Sequence, residues 1–261
     1  SKYMLGLSAT MERKDSLSKV FKMFLGPIVY SKPSDNNADV LVKAIFYAHE
    51  DEDFSKTVLN YRGHVHYSIM IKKLCEFNRR TEFILKVLKD TLETGGDDRQ
   101  IMIIAHNKNV LKYLHDAIEH RKIASVGYYV GGMKEQVLKE SETKQVIIAT
   151  YAMAEEALDI KSLTTLVMAT PKTDVRQAVG RILRQKHKQA LVIDIVDQHE
   201  IFQKQWMKRR RYYNKKQYKI ICADMVSYKK NKWEDISKKK KFKSVALKDE
   251  FLQGKCMIMD D

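Results

Sequence analysis

Five short apolar runs punctuate the middle of the chain: QIMIIA (100–105), KIASVGYYV (122–130), QVIIAT (145–150), TTLVMAT (164–170) and QALVIDIV (189–196). Each has strand length and is rich in Val and Ile, and most are apolar at consecutive positions, as strands covered on both faces are. Helical periodicity fills the gaps. NKNVLKYLHDAIEH (107–120) sets Leu111, Leu114 and Ile118 on one side, with Asn107 placed to cap the first turn. Residues 76–96 align Leu85, Leu88 and Leu92, then stop at Gly95-Gly96, a common helix terminus. Strand and helix alternating at this pitch predict an α/β fold over 76–199, a parallel sheet flanked by helices.

The flanks keep a different rhythm. Residues 1–26 read as a buried strand (YMLGLSAT), a polar loop and a helix near 15–25. Residues 27–75 hold two of the three prolines and read as a connector with one strand-like segment, VLVKAIFYAHE (40–50). Residues 200–261 form a C-terminal extension. Inside the body, TDVRQAVGRILRQ (173–185) places Gln177, Arg181 and Arg184 at offsets of four and three, along one helix face. Val175, Val179 and Ile182 repeat that spacing out of phase and are free to face a core. Gly180 sits between the polar positions, where glycine costs a helix about 1 kcal/mol against alanine but lets a ligand approach closely. Two arginines beside a mid-helix glycine point to an anion.

Charge changes the picture further. The formal net charge is +15, and residues 201–261 carry +11 of it. A surplus of that size favours a polyanion, nucleic acid above all, over a small acidic ligand. FQKQWMKRRRYYNKKQYK (202–219) interleaves Lys208, Arg209, Arg210, Arg211, Lys215 and Lys216 with Trp206, Tyr212, Tyr213 and Tyr218. Cations neutralise phosphates and aromatic rings stack on exposed bases, so this segment reads as a nucleic-acid surface. The competing expectation is a solvated helix that packs its aromatics on the body. Cys75, Cys222 and Cys256 are odd in number and in no ligand spacing, which reads as free thiols in a reducing compartment. His64 and His66 have no second ligand pair nearby, so no metal site is expected. No apolar run reaches the roughly 18–20 residues of a membrane span.

The loops after the apolar runs form an ordered set: SAT (8–10), IIAHN (103–107), GYYVGGM (127–133), ATYAMAEEALDI (149–160) and ATPKTDVRQAVGRILR (169–184). This set resembles motifs III to VI of the superfamily 2 helicases. The wording is most similar to the helicases of large nucleocytoplasmic DNA viruses, African swine fever virus among them, which are related to the poxvirus transcript-release helicase. The resemblance runs over residues 3–200. It implies a RecA-like second motor domain behind a remnant of a first one (1–26). It also implies ATP with Mg2+, both held mainly by a first RecA-like domain in cis.

By the same resemblance Arg181 and Arg184 reach the γ-phosphate and Gln177 senses the nucleotide. Gly180, Asp159, Ser8 and Thr10 belong to ATP binding and coupling. Thr150, Gly131 and Gly132 meet nucleic-acid phosphates, with DNA favoured over RNA and transcript release or DNA processing as the role. The setting would be the host cytoplasm or the virion. Two positions depart from the family pattern: Ala157 stands where EGLDI has glycine, and Ala178 where many relatives have arginine. The sequence contains neither a G-x-x-x-x-G-K-[ST] phosphate loop nor an acidic D-E-x-[DH] box. The expectation is a piece cut just upstream of motif III that does not hydrolyse ATP alone. A reading of another class is a non-enzymatic nucleic-acid-binding module that retains the fold.

Overall fold

The computed structural model describes residue 6 and residues 18–30, 40–95, 99–156, 160, 162–182 and 189–237. The chain divides into two units, Ser1–Asn36 and Asn37–Asp261. In the first, α1 (Ser18–Leu25) leaves Met23 and Phe24 exposed. The YMLGLSAT strand lies outside the described residues.

The second unit is built on one sheet. In chain order its elements are β1 (Val40–Tyr47), α2 (Glu52–Ser55), α3 (Tyr67–Glu76), α4 (Asn78–Gly95), β2 (Gln100–Ala105), α5 (Lys108–His120), β3 (Val126–Tyr129), α6 (Glu135–Glu142), β4 (Val146–Thr150), α7 (Tyr151–Glu156), β5 (Leu163–Met168), α8 (Arg176–Ile182), β6 (Ala190–Asp197), α9 (Glu200–Lys215), β7 (Lys219–Asp224), α10 (Met225–Lys229) and β8 (Glu234–Asp235). The strand order is β3-β4-β2-β5-β6-β1-β7-β8. Every pairing is parallel except β7 with β8.

Side-chain alternation splits the interior into two layers. Ile101, Ile103 and Ala105 of β2 pack towards α3, α4 and α5, with Leu74, Leu88 and Leu114. Met102 and Ile104 face the other layer, with Val175 just before α8, Val179 within it, and Trp206 and Tyr213 of α9. Two covered faces explain why β2 and β6 are buried along their whole length.

The five apolar runs are strands within a few residues of their expected ends, and the Asn107 side chain accepts from the Asn109 N–H as the cap of α5. Two boundaries differ. The segment read as a connector supplies β1, which pairs with both β6 and β7 and so lies inside the sheet. The segment read as an extension supplies α9 and β7, whose Trp206, Tyr213 and Ile220 are core residues. The described unit is therefore one continuous core across positions 76 and 199, because strands from before and after those positions pair with each other. The run read as one helix over 76–96 begins earlier, at Tyr67, and breaks at Phe77 into α3 and α4.

Candidate nucleotide and nucleic-acid site

Because β1 to β7 run parallel, their carboxyl ends lie along one edge of the sheet, where the loops of such folds bind ligands. Gly131 and Gly132 follow β3, and both are exposed. Gly132 has φ +90°, and a Cβ there would meet nothing within 4 Å, so the turn needs glycine and leaves open space. Thr150 ends β4, half-buried, with its Oγ1 accepting from the Met153 N–H at 3.5 Å.

In α8 the expected division of faces holds for the residues described. Val175 and Val179 are buried, while Gln177 and Gly180 are exposed. Among the described residues, its chain neighbours and own helix backbone aside, no atom lies within 4 Å of where a Gly180 Cβ would stand. Of the residues described in α8, Gln177 and Gly180 form the face left open to solvent. No group of three or more His, Cys, Asp or Glu among the described residues is placed to hold a metal. Arg181 lies in α8, but its side chain, like Ser8, Thr10, Ala157, Asp159 and Arg184, falls outside the described residues.

The loop between β5 and α8 is tied to its neighbours. The Thr170 hydroxyl accepts from the His106 N–H at 3.0 Å and lies 2.9 Å from the ring Nδ1. Burial, with the Lys172 charge adding, pushes the His106 pKa down to about 4. The ring is therefore neutral near pH 7, and Nδ1 is free to accept the threonine proton. Lys172 pairs with Glu155 at 2.6 Å and lies over the Tyr151 ring, 4.7 Å from its centroid. His106, to which the sequence alone assigns no role, thus joins the loop after β2 to the loop after β5.

The basic helix needs correction. Arg209 and Arg210 are buried, not displayed. The Arg209 guanidinium meets Asp194 of β6 at 2.7 and 2.8 Å, and Arg210 donates to the Ile236 carbonyl at 3.2 Å. Trp206, Tyr213 and Tyr218 are also core residues, Trp206 meeting Phe46 edge-on, so none of these three rings is available to bases. The physical reason is helical phase: Phe202, Trp206, Arg209 and Tyr213 recur at offsets of four, three and four, and that stripe faces the sheet. Lys204, Lys208, Arg211 and Lys215 recur at the same offsets on the opposite stripe and are exposed, with Lys204 paired to Glu200; Lys216 is half-buried. The run therefore combines both expectations, aromatics packed on the body and a line of cations outside.

A second buried pair went unnoticed in the sequence. Arg80 of α4, fully buried, meets Asp197 of β6 at 2.5 and 2.8 Å. Burial opposes the Arg80 charge, but the adjacent carboxylate outweighs it and holds the guanidinium pKa above its ordinary value. Two acidic residues in the apolar strand ALVIDIVD were the available signal.

A mostly parallel sheet layered by helices, with its loops gathered at one edge, is the RecA-like helicase fold. Solved structures agree at the level of the fold. T4 UvsW matches with a TM-score of 0.57 at 19% identity, over 72% of this chain and 42% of its own. Saccharomyces cerevisiae Dbp5 bound to RNA and ADP BeF3 matches with a TM-score of 0.56 at 13% identity, over 86% and 52%.

By sequence, the chain is 34% identical over 245 residues to L396 of Acanthamoeba polyphaga mimivirus, named as a candidate ATP-dependent RNA helicase. That match takes in 90% of this chain and 47% of that protein. It is 26% identical over 238 residues to the African swine fever virus protein QP509L, named likewise, over 84% and 46%. It is 23% identical over 237 residues to the DNA 3'-5' translocase XPB2 of Sulfurisphaera tokodaii, over 75% and 53%. No protein-family model matches the chain. Over most of its length the chain is similar in sequence to helicases of large DNA viruses, and its fold is like that of helicase domains of known structure. It spans about half the length of the curated relatives it matches. Their names give RNA for the viral proteins and DNA for the archaeal one, so the preference for DNA gains no support.

Proposed function

We propose that this chain is the C-terminal motor half of an ATP-driven nucleic-acid helicase or translocase, closing over a nucleotide held mainly by a first motor domain. In-line transfer of the γ-phosphoryl group spreads negative charge over its equatorial oxygens, and an inserted guanidinium stabilises that charge. Arg181 and Arg184 supply it, being planar, permanently charged and bidentate towards phosphate. Gln177 and Gly180 line the approach, and Asp159, Ser8 and Thr10 are assigned to coupling by the family resemblance alone. Mg2+ is brought with the nucleotide by the other domain.

One observation carries the reading: Val175 and Val179 turn into the core while Gln177 and Gly180 stay outside, on the helix α8 that follows β5 of a parallel sheet. On the loop edge of that sheet Thr150 and the Gly131-Gly132 turn offer a hydroxyl and backbone N–H groups to the phosphates of a strand. Lys208, Arg211, Lys215 and Lys216 add electrostatic attraction from α9. Viral transcript release is the role this reading favours, given the RNA named for the viral relatives.

The test uses the complete protein that carries this chain. Arg184→Ala should abolish nucleic-acid-stimulated ATP hydrolysis while oligonucleotide binding survives. Turnover equal to the parent would falsify the finger assignment, and hydrolysis by the isolated 261-residue chain would overturn the division of labour between two domains.

A further inference from the structure

The segment between β5 and α8 has four successive carbonyls, and each accepts a hydrogen bond from a different helix. Ala169 O takes the Arg80 Nη1 donor of α4 at 2.8 Å. Thr170 O takes the Tyr151 hydroxyl of α7 at 2.5 Å. Pro171 O takes the Tyr67 hydroxyl of α3 at 3.2 Å. Lys172 O takes the Arg209 Nη1 donor of α9 at 2.6 Å.

The donors alternate between the two layers of the fold. Arg80 and Tyr67 come from helices that pack on one face of the sheet; Tyr151 lies in the other layer, as do Trp206 and Tyr213, which flank Arg209 on α9. The two arginines are themselves aimed from one strand. Asp194 and Asp197 of β6 are three residues apart, so they face opposite layers, and each holds one guanidinium by two hydrogen bonds.

Ala169, Thr170 and Pro171 are buried, so their carbonyls need partners within the fold, and on this irregular segment side chains from α3, α4 and α7 supply them in place of a neighbouring strand. Only Thr173, Asp174 and the buried Val175 separate the gripped carbonyls from α8, which begins at Arg176. We infer that Arg80, Tyr67, Tyr151 and Arg209 are positioning residues for α8, acting through the backbone of residues 169–172. The inference rests on the proposed motor function for its catalytic consequence, but the grip itself is independent of that reading. Transition-state stabilisation by a guanidinium depends steeply on placement, and a misplacement near 1 Å can lower a rate on the order of a hundredfold.

The test is the double variant Tyr67→Phe with Tyr151→Phe in the complete protein, which removes two donors and keeps both rings. Amide hydrogen exchange across 169–182 should quicken on the order of tenfold while β2 and β6 amides stay unchanged. Stimulated ATP turnover at saturating nucleotide should fall about tenfold or more, with oligonucleotide affinity in the absence of ATP within about twofold of the parent. If the double variant loosens the whole sheet, Tyr67→Phe alone carries the same expectation at smaller amplitude. Unchanged exchange across 169–182 overturns the grip. Quickened exchange with turnover intact overturns the positioning role. Arg184→Ala with undiminished turnover removes the finger assignment alone, and the exchange measurement still decides whether the donors hold the segment.

Discussion

Arg209 of α9 faces Asp194 of β6 through two hydrogen bonds of 2.7 and 2.8 Å, and both side chains are fully removed from solvent. A run of cations that looks like a nucleic-acid surface thus commits one arginine to the interior. The Tyr213 hydroxyl lies 3.4 Å from the same carboxylate, and Arg209 is 5.9 Å from the Trp206 ring centroid. The pair is satisfied on every side, the condition under which a buried ion pair persists.

Breaking that pair from one side should be strongly destabilising. Asp194→Ala leaves a buried guanidinium uncompensated and is expected to cost about 3–5 kcal/mol, as is Asp197→Ala opposite Arg80. Arg211→Ala, exposed two positions from Arg209, should stay within about 0.5 kcal/mol. Urea unfolding followed by circular dichroism measures all three, and an Asp194→Ala destabilisation no larger than that of Arg211→Ala would contradict the packing described.

Nucleic-acid binding should reverse that order. Replacing Lys208, Arg211 and Lys215 together with glutamine is expected to leave the fold intact and to flatten the dependence of affinity on salt. The slope of log K against log salt should fall by about 1 for each phosphate that is no longer neutralised. Fluorescence anisotropy with DNA and RNA oligonucleotides over a salt series tests this and compares the two strand types. A slope identical to the parent would remove the outer stripe of α9 from the binding surface.

Acid should destabilise the protein through His199. Its ring is buried, with Nε2 2.6 Å from the Phe54 carbonyl and Nδ1 without a partner. Burial lowers its pKa below the ordinary 6.5, against a smaller opposing effect of that hydrogen bond and of Asp197, with Lys73 and Arg80 adding to the lowering. The unfolded chain takes up a proton near pH 6.5 that the folded ring refuses until lower pH. Stability is therefore full above 6.5 and falls as the pH drops below it. His199→Asn, whose amide can still donate to Phe54, should show a smaller decline between pH 8 and pH 5.5; part remains because His106 titrates in the same sense. Equal declines in variant and parent would contradict the assignment.

Thiol chemistry gives a further check. Cys75 and Cys222 are both buried, and burial pushes the Cys75 thiol up to about 11. So little thiolate at pH 8 means Cys75 should react with a disulfide reagent only as the protein unfolds. A Cys256→Ser chain should accordingly show no fast phase with Ellman's reagent until denaturant is added.

Much of this molecule was legible in its amino-acid order. The strands are legible because both their faces are covered, so apolar residues stand at consecutive positions, as in Gln100–Ala105. The α8 faces are legible because Val175 and Val179 keep step with the helical turn. The burial of Arg209 was within reach as well: its phase with Trp206 and Tyr213 stands in the sequence, but a count of charges overrides the period. The place of β1 between β6 and β7 was not legible, because parallel strands pair without a local turn to announce them.

Local order by itself determined the elements, their alternation and the chemical types offered at the strand ends, since periodicity and capping act within a few residues. Only the tertiary structure decided that Asp194 and Asp197 reach arginines on opposite layers, and that Arg80, Tyr151, Tyr67 and Arg209 converge on residues 169–172. Those hydrogen bonds join residues up to 117 positions apart, and no pattern within one helix or strand encodes which distant partner the packed sheet will bring against it.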